Sequence, residues 1–249
     1  MAEDFQISTY HSQETAEGRE RLAEMLKSCP IPGAEVLANL GVFMTPQLVS
    51  RILYLDHLYR MILTTQGIII EFGCRWGQSL ALLGSLRGVY EPYNRLRKIV
   101  GFDTFTGFPA ISPQDGRNAT AGAYAVTDGY ESFLAEILRL QEQESALPHV
   151  KKHEILKGDV GETVERYFAE NPETIVALAL FDLDLHAPTV TCLHAIQSRW
   201  TRGTVLAFDE LNERNFPGET LALKEVLGLD RYAIRRFPGN ARSSYLVIE

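Results

Sequence analysis

The sequence predicts an α/β protein with a mostly parallel, seven-stranded sheet that closes on an antiparallel hairpin. Three observations predict it. First, QGIIIEFGCRWGQS (66–79) reads as strand, glycine turn and helix: Ile68, Ile69 and Ile70 form a β-branched run of the kind buried on both faces, and Gly73 and Gly77 precede a helical stretch. Second, three further apolar runs, IVGFD, TIVALALFDLD and TVLAFDE, each stop on a carboxylate. Third, two strand-like segments, 232–237 and 243–248, flank Pro238-Gly239 at the end of the chain. Helical stretches between the earlier runs make the connections crossovers, as a parallel sheet requires.

Composition bounds the function. The chain has 249 residues, 45% hydrophobic and 22% charged, enough for one α/β domain with a sizeable core. Its net charge of −8, with no Lys/Arg-rich run, argues against nucleic acid and anionic lipid as partners. Cys29, Cys74 and Cys192 are scattered without CxxC spacing, which points to free thiols in a reducing compartment. Residues 1–10 are polar and acidic, unlike a signal peptide, and no apolar run approaches the ~18 residues of a membrane span. A cytoplasmic location is expected.

The elements follow in order. Residues 15–27 read as a helix with Leu22, Met25 and Leu26 on one face, broken at Cys29-Pro-Ile-Pro-Gly33. Thr45-Pro46 opens a second helix, an N-cap followed by a first-turn proline, with Leu48, Ile52, Leu55, Leu58, Tyr59 and Ile62 at helical spacing. These apolar helices make self-association plausible, so a homo-oligomer is expected; a lid over the site is the sharper alternative. The domain is expected to span 1–249, with 1–65 as an N-terminal helical layer or lid and 66–249 as the ligand-binding core.

The first turn reads E-x-G-x-x-x-G, looser than the G-x-G-x-x-G of dinucleotide sites. Glu71 at the strand end suits a ligand carrying an ammonium and a carboxylate, and S-adenosylmethionine (SAM) is one; an ordinary βα turn with a buried Glu is the competing reading. Asp103 ends the second strand, where an acid reaches ribose hydroxyls in a doubly wound fold, although its spacing from Glu71 exceeds the usual ~20 residues. Phe105 either stacks on adenine or belongs to the core. The glycine- and alanine-rich segment 112–128 shows no period and reads as a mobile loop over the site. Residues 130–144 and 162–169 read as helices, and 154–156 as a third strand whose exit places Asp159 near the adenine edge. Another helix is expected from Pro188 to about Trp200.

The chemistry gathers where the last two long strands end. Asp182, Asp184, Asp209 and Glu210 converge on one rim, with His186 beside them. Such acids repel one another unless they are hydrated, paired or on a metal, and an all-oxygen set suits a hard cation such as Mg²⁺. Solvated strand-end carboxylates are the alternative. His186 is either a hydrogen-bonded structural residue or a base. A terminal hairpin on such a sheet is typical of Rossmann-like class I SAM-dependent methyltransferases.

EFGCRWGQSLALL, GFDTFTGFP, KGDVGET, FDLDLHAPT, and FDELN with FPGETLALKE, in this order, resemble the macrocin-type O-methyltransferases, metal-dependent sugar methylases of antibiotic and other natural-product pathways. The resemblance runs from about residue 67 to 249. It implies that Glu71, Gly73 and Ser79 line the methionine end of SAM, that Asp103 binds the ribose, that Thr104 and Phe105 lie near the adenosine, and that Asp159 lies near the adenine. Arg75 and Asp182 are also expected in the cofactor site. Asp182, Asp209 and Glu210 would hold Mg²⁺, and Asp184 would be the general base. Two departures stand out: the family usually has two aspartates where this chain has Asp209-Glu210, and often Tyr where it has His186, which leaves the base open between Asp184 and His186.

The reaction implied is Mg-dependent transfer of the SAM methyl to a deoxysugar hydroxyl, the 3-hydroxyl of a dTDP-6-deoxy-L-hexose such as dTDP-rhamnose. A glycosylated natural product or a catechol-type phenol is the alternative acceptor. The polar loop 112–128 argues mildly against a phenol, and a non-catalytic SAM-binding scaffold has no use for four convergent acids.

Overall fold

Ile68–Phe72 forms strand β1 at the middle of the sheet, and every residue in it is buried. The computed structural model describes residues 12–240 and 242–249; the polar segment 1–10 lies outside them. The further strands are β2 (Ile99–Asp103), β3 (His153–Lys157), β4 (Val176–Phe181), β5 (Trp200–Phe208), β6 (Arg235–Arg236) and β7 (Ser244–Val247). They lie in the order β3-β2-β1-β4-β5-β7-β6. Strands β1 to β5 pair in parallel, and β7 runs antiparallel between β5 and β6. The helices are α1 (Gln13–Lys27), α2 (Gly33–Val36), α3 (Pro46–Met61), α4 (Gln78–Tyr90), α5 (Tyr130–Gln143), α6 (Val160–Glu170), α7 (His186–Gln197) and α8 (Gly218–Val226).

Alternation along buried strands feeds two cores. Ile68, Ile70 and Phe72 pack with Tyr167, Cys192 and Leu223 from α6, α7 and α8. Ile69, Leu178, Leu180 and Val205 pack on the opposite face with Leu55, Leu83 and Leu134 from α3, α4 and α5. Burial on both faces is why these strands read as unbroken apolar runs.

The register carries the site. Phe72 pairs with Phe102 and with Phe181, and Phe181 pairs with Phe208. Neighbouring rings lie 5.3, 5.3 and 4.7 Å apart. A slip by one residue would turn every ring to the other face, so this row of phenylalanines fixes the alignment of four strands. The next row is Asp103, Gly73, Asp182 and Asp209. The ladder still holds it: Gly73 N–H donates to Phe102 O (2.9 Å), Asp182 N–H to Phe72 O (2.9 Å) and Asp209 N–H to Phe181 O (3.1 Å).

The structure differs from expectation in places. Helix α7 begins at His186, ahead of Pro188, and Trp200 opens β5 instead of closing a helix. Strand β6 shrinks to two residues. Helix α2 and the 3₁₀ turns Leu37–Phe43 and Pro113–Asp115 gave no signal in the sequence. Thr45 does cap α3, accepting from Leu48 N–H at 3.3 Å.

The chain divides into two compact units, residues up to 51 and Ile52–Glu249. The first holds α1, α2 and the 3₁₀ turn that follows, none with a buried residue. The second holds the sheet and both cores, including Tyr54, Leu55, Leu58 and Tyr59 of α3. The division between the two units falls inside α3, whose buried residues begin at Tyr54. Among the described residues, no single helix is long and apolar enough to cross a membrane.

Candidate active site

The carboxyl ends of β1, β2, β4 and β5 share one edge, and the strand order reverses between β1 and β4. That crevice is where an open α/β sheet binds its ligand. Glu71 is 2% exposed, and the chain then turns through Gly73 at φ +84°. A Cβ on Gly73 would stand 1.9 Å from the Asp182 carbonyl oxygen, so only glycine lets the β1 and β4 turns pass this closely. Cys74 is buried beside Glu71 and Asp103, and burial followed by those carboxylates pushes its thiol up. Gly77, at φ +73°, caps α4, and Ser79 is buried in the first turn.

Asp103 closes the first turn. Its Oδ2 accepts from Arg75 N–H (2.7 Å) and its Oδ1 from Phe105 N–H (2.6 Å). Burial pushes its carboxyl up, and the N–H groups of Arg75, Phe105 and Cys74 oppose that. A carboxylate offers about four lone-pair sites, so one more donor can be accommodated. Thr104 Oγ1 donates to Gly107 O at 2.7 Å and shapes the next turn. Phe105 is 4% exposed among neighbours that include Leu80 and Leu134, as the core reading of this residue expects. Asp159 caps its own helix, accepting from Gly161 N–H at 2.8 Å.

On the other side of the crevice, Asp184 is buried at φ +60°. Burial first, then the charge of Asp209, push its carboxyl up to about 7, while Arg242 and Arg75 pull it down. Asp209 Oδ1 accepts from Ser243 Oγ (2.8 Å), and its Oδ2 lies 3.6 Å from Arg242 Nε. Glu210, 1% exposed, pairs with the same guanidinium, and its Oε2 is buried with no hydrogen-bond partner among the described residues. His186 has a partner of its own: its Nε2 is 2.9 Å from Glu225 Oε2 on α8.

Among the described residues, no three His, Cys, Asp or Glu side chains gather closely enough to hold a metal ion as arranged here. Arg242 supplies the positive charge at Asp209 and Glu210 instead. The donor chemistry nonetheless fits a hard cation: the ligands are all oxygens, and an orphaned buried carboxylate oxygen sits among them.

Three contributors, Tyr124, Asp115 and Glu219, gave no clear signal in the sequence. Arg75, at φ +44°, lays its guanidinium 4.9 Å from the centre of the Tyr124 ring, so a residue of the 112–128 segment faces the site. Burial and the charge of Asp184 push the Tyr124 phenol up. That segment is pinned, contrary to the mobile loop expected. Asp115 Oδ1 accepts from His186 N–H (2.6 Å), its Oδ2 accepts from Ser112 Oγ (2.8 Å), and Ala119 packs with Leu185 and Phe216. Glu219, wholly buried on α8, reaches both acid-bearing turns. Burial and the acids around it push its carboxyl well up.

This sheet order, with the glycine turn on β1 and acids after β2, β4 and β5, defines a Rossmann-like class I SAM-dependent methyltransferase. A crystal structure of CalS11, a calicheamicin methyltransferase, is 44% identical, covering 99% of this chain and 97% of that one, with a TM-score of 0.93. An apo structure of CalS11, described as TDP-rhamnose 3'-O-methyltransferase, an enzyme in calicheamicin biosynthesis, is 42% identical over 96% of each chain, with a TM-score of 0.85. The O-methyltransferase NovP shares the fold at 16% identity, over 80% of each chain, with a TM-score of 0.58. No family model matches the chain, and no curated protein does either. The chain belongs to the O-methyltransferase family of CalS11 and is itself an O-methyltransferase.

Proposed function

We propose that this enzyme methylates a hydroxyl of a nucleotide-linked 6-deoxy-L-hexose, the 3-hydroxyl of dTDP-L-rhamnose in the first instance, with SAM as donor and a divalent cation such as Mg²⁺ at the acid rim. The observation that carries the reading is identity of 44% to CalS11 along 99% of the chain, so the rim and its supporting turns fall inside the matched region. We also propose that the enzyme works as a homo-oligomer, because the unit up to residue 51 buries none of its described residues.

Glu71, Gly73, Arg75, Ser79, Asp103, Thr104 and Asp182 would surround the donor, with Asp159 at its adenine edge. Asp103 would accept a ribose hydroxyl on its remaining lone pair. Asp182, Asp209 and Glu210 would hold the cation, and Arg242 would give way to it. When bound, a cation lowers the pKa of a coordinated hydroxyl and fixes its position. SAM supplies a methyl on a sulfonium, already a good leaving group, so most of the protein's work is alignment. Asp184 would take the hydroxyl proton: a bond from Oδ to hydrogen would form as the O–H bond breaks, and the freed oxygen pair would bond the methyl carbon as its bond to sulfur breaks, the pair leaving on sulfur as the neutral thioether of S-adenosylhomocysteine. A buried carboxylate on the turn after β4 is suited to that role. His186, paired with Glu225, is the weaker candidate for base and would orient the turn.

The test is methyl transfer from labelled SAM to dTDP-L-rhamnose, in Mg²⁺ and in EDTA. Transfer that is lost in EDTA and restored by Mg²⁺ is the expected result. SAM binding without transfer in either condition would move the acceptor to a finished glycoside or a phenol. Transfer indifferent to EDTA, once tightly held metal is ruled out, would reassign the acid rim.

A further inference from the structure

Glu219 lies beneath the acid rim, fully buried in the first turn of α8. Its Oε1 accepts from the N–H groups of Leu183 (3.1 Å) and Asp184 (3.4 Å), in the turn after β4. Its Oε2 accepts from the N–H of Glu210 (3.3 Å), in the turn after β5. One carboxylate therefore ties together the two turns that carry Asp182, Asp184, Asp209 and Glu210. It does so through their backbones, so the four acid side chains themselves make none of these bonds.

Two further observations agree. Asp184 is left-handed at φ +60°, an uncommon state for a residue with a Cβ, and such states persist only where the surroundings hold them. Gly218 lets α8 press against that same turn: a Cβ there would stand 2.4 Å from Asp184 O and 2.6 Å from His186 N. A wholly buried acid is a poor choice for packing alone, and here both of its oxygens are spent on backbone N–H groups of two separate turns. What the acid uniquely offers is an acceptor on both arms. Glutamine, of the same shape, would turn an NH₂ toward one of the N–H groups.

We infer that Glu219 is a positioning residue for methyl transfer, fixing the two acid-bearing turns so that Asp184 and Glu210 address one acceptor hydroxyl. The inference rests on the roles proposed above for those two residues, and the experiment separates the two claims.

Glu219→Gln is compared with the native enzyme by four readouts: kcat on dTDP-L-rhamnose, SAM affinity by calorimetry, Mn²⁺ affinity by electron paramagnetic resonance, and amide hydrogen exchange at Leu183, Asp184 and Glu210. The expected result is a kcat about 10–100-fold lower at SAM affinity within about twofold, since a small misplacement of reacting groups costs that much. Mn²⁺ should bind about tenfold more weakly. Exchange at the three amides should rise about tenfold, while β4 keeps its protection. Glu219→Asp, which keeps both acceptors on a shorter arm, should recover part of the kcat. Unchanged amides and kcat in Glu219→Gln would overturn the inference. So would losses of SAM affinity, β4 protection and kcat together, which mark a merely structural residue. Native enzyme that binds no Mn²⁺, or methylates no dTDP-sugar, would sink the cation or acceptor reading alone, and the amide readout still decides on Glu219.

Discussion

Asp184 shows how the site sets stability against function. Its carboxyl is pushed up to about 7 by burial and by Asp209, so the folded state prefers it protonated. An unfolded Asp titrates near ~3.9. Above about pH 7 the acid is charged in both states, and the fold bears the cost of keeping the charge buried. Below the unfolded value it is neutral in both, and the cost is gone. Asp184→Asn removes that cost together with the proposed proton acceptor. In EDTA at pH 8 the variant should melt a few degrees higher than the native protein, with the gain gone near pH 4. Its turnover should fall by about 10²–10⁴-fold, the usual worth of a general base. Thermal melts at the two pH values and labelled-SAM assays check this, and native turnover would return the base role to His186. Gly73 makes the opposite point, since here one added atom is the whole perturbation. Gly73→Ala would drive a Cβ into the Asp182 carbonyl at φ +84°. The variant should lose SAM binding in calorimetry and be destabilised by more than about 4 kcal/mol in urea, a loss confined to strongly disruptive changes.

At the scale of elements, the strands were legible because burial on both faces writes them as continuous apolar runs, and β2 was read to the residue. The acids at strand ends were legible for the same reason: a charge that stops an apolar run marks where a strand leaves the core. Contacts between residues far apart in the chain were not legible. Asp115 sits in a segment without period, and its bond to His186 N–H and the packing of Ala119 on Leu185 and Phe216 show that the segment is anchored. Glu219 reads as an ordinary first-turn acid, and its partners lie on two other turns. Phe105 resembled a stacking residue beside Asp103, but the tight turn that Asp103 caps sends its ring into the core. Arg97, preceding β2, is another silent contributor. It is 2% exposed and donates to Glu91 Oε2 (2.8 Å), Ile62 O (3.0 Å) and Thr65 O (3.0 Å), joining the end of α3 to the approach to β1. Burial works against the Glu91 charge, but hydrogen bonds from Arg97, Tyr59 and Asn94 outweigh it and hold the carboxyl below its usual range. Its contribution is therefore present above ~4.3, the ordinary glutamate value, and fades as pH falls through the lower folded value. Arg97→Met should cost about 3–5 kcal/mol at pH 7, the penalty for stranding a buried partner, and less below pH ~4. Urea unfolding at both pH values measures it, and an equal loss at both would deny the ion pair its part.

At the scale of the molecule, the two units pose different physical problems. Residues 52–249 have a core on each face of the sheet, and such a unit opens only near the global limit. The first unit has no such support. Among its described residues, α1 spans 15 residues and buries none, and Leu37 and Val42 are 78% and 69% exposed. Isolated helices of about 12–15 residues are marginal in water, so this unit depends on an added surface to hold its form. Charge does not forbid a second copy from supplying it, because the α1 sequence interleaves both signs and a net charge of −8 is screened beyond about 8 Å at physiological salt. If a second copy supplies that surface, as proposed above, protection of this unit should track protein concentration by mass action. Hydrogen exchange at about 1 and 100 μM should show α1 and the Leu37–Phe43 turn slowing at the higher concentration while β1 and β4 stay constant. The sedimenting mass should rise above 27.9 kDa over the same range. Replacing Leu37 and Val42 with Ser should abolish both changes and leave SAM affinity intact, because neither residue belongs to the unit that holds the crevice. Exchange at α1 that is fast and independent of concentration would mean that the segment is held by no second copy.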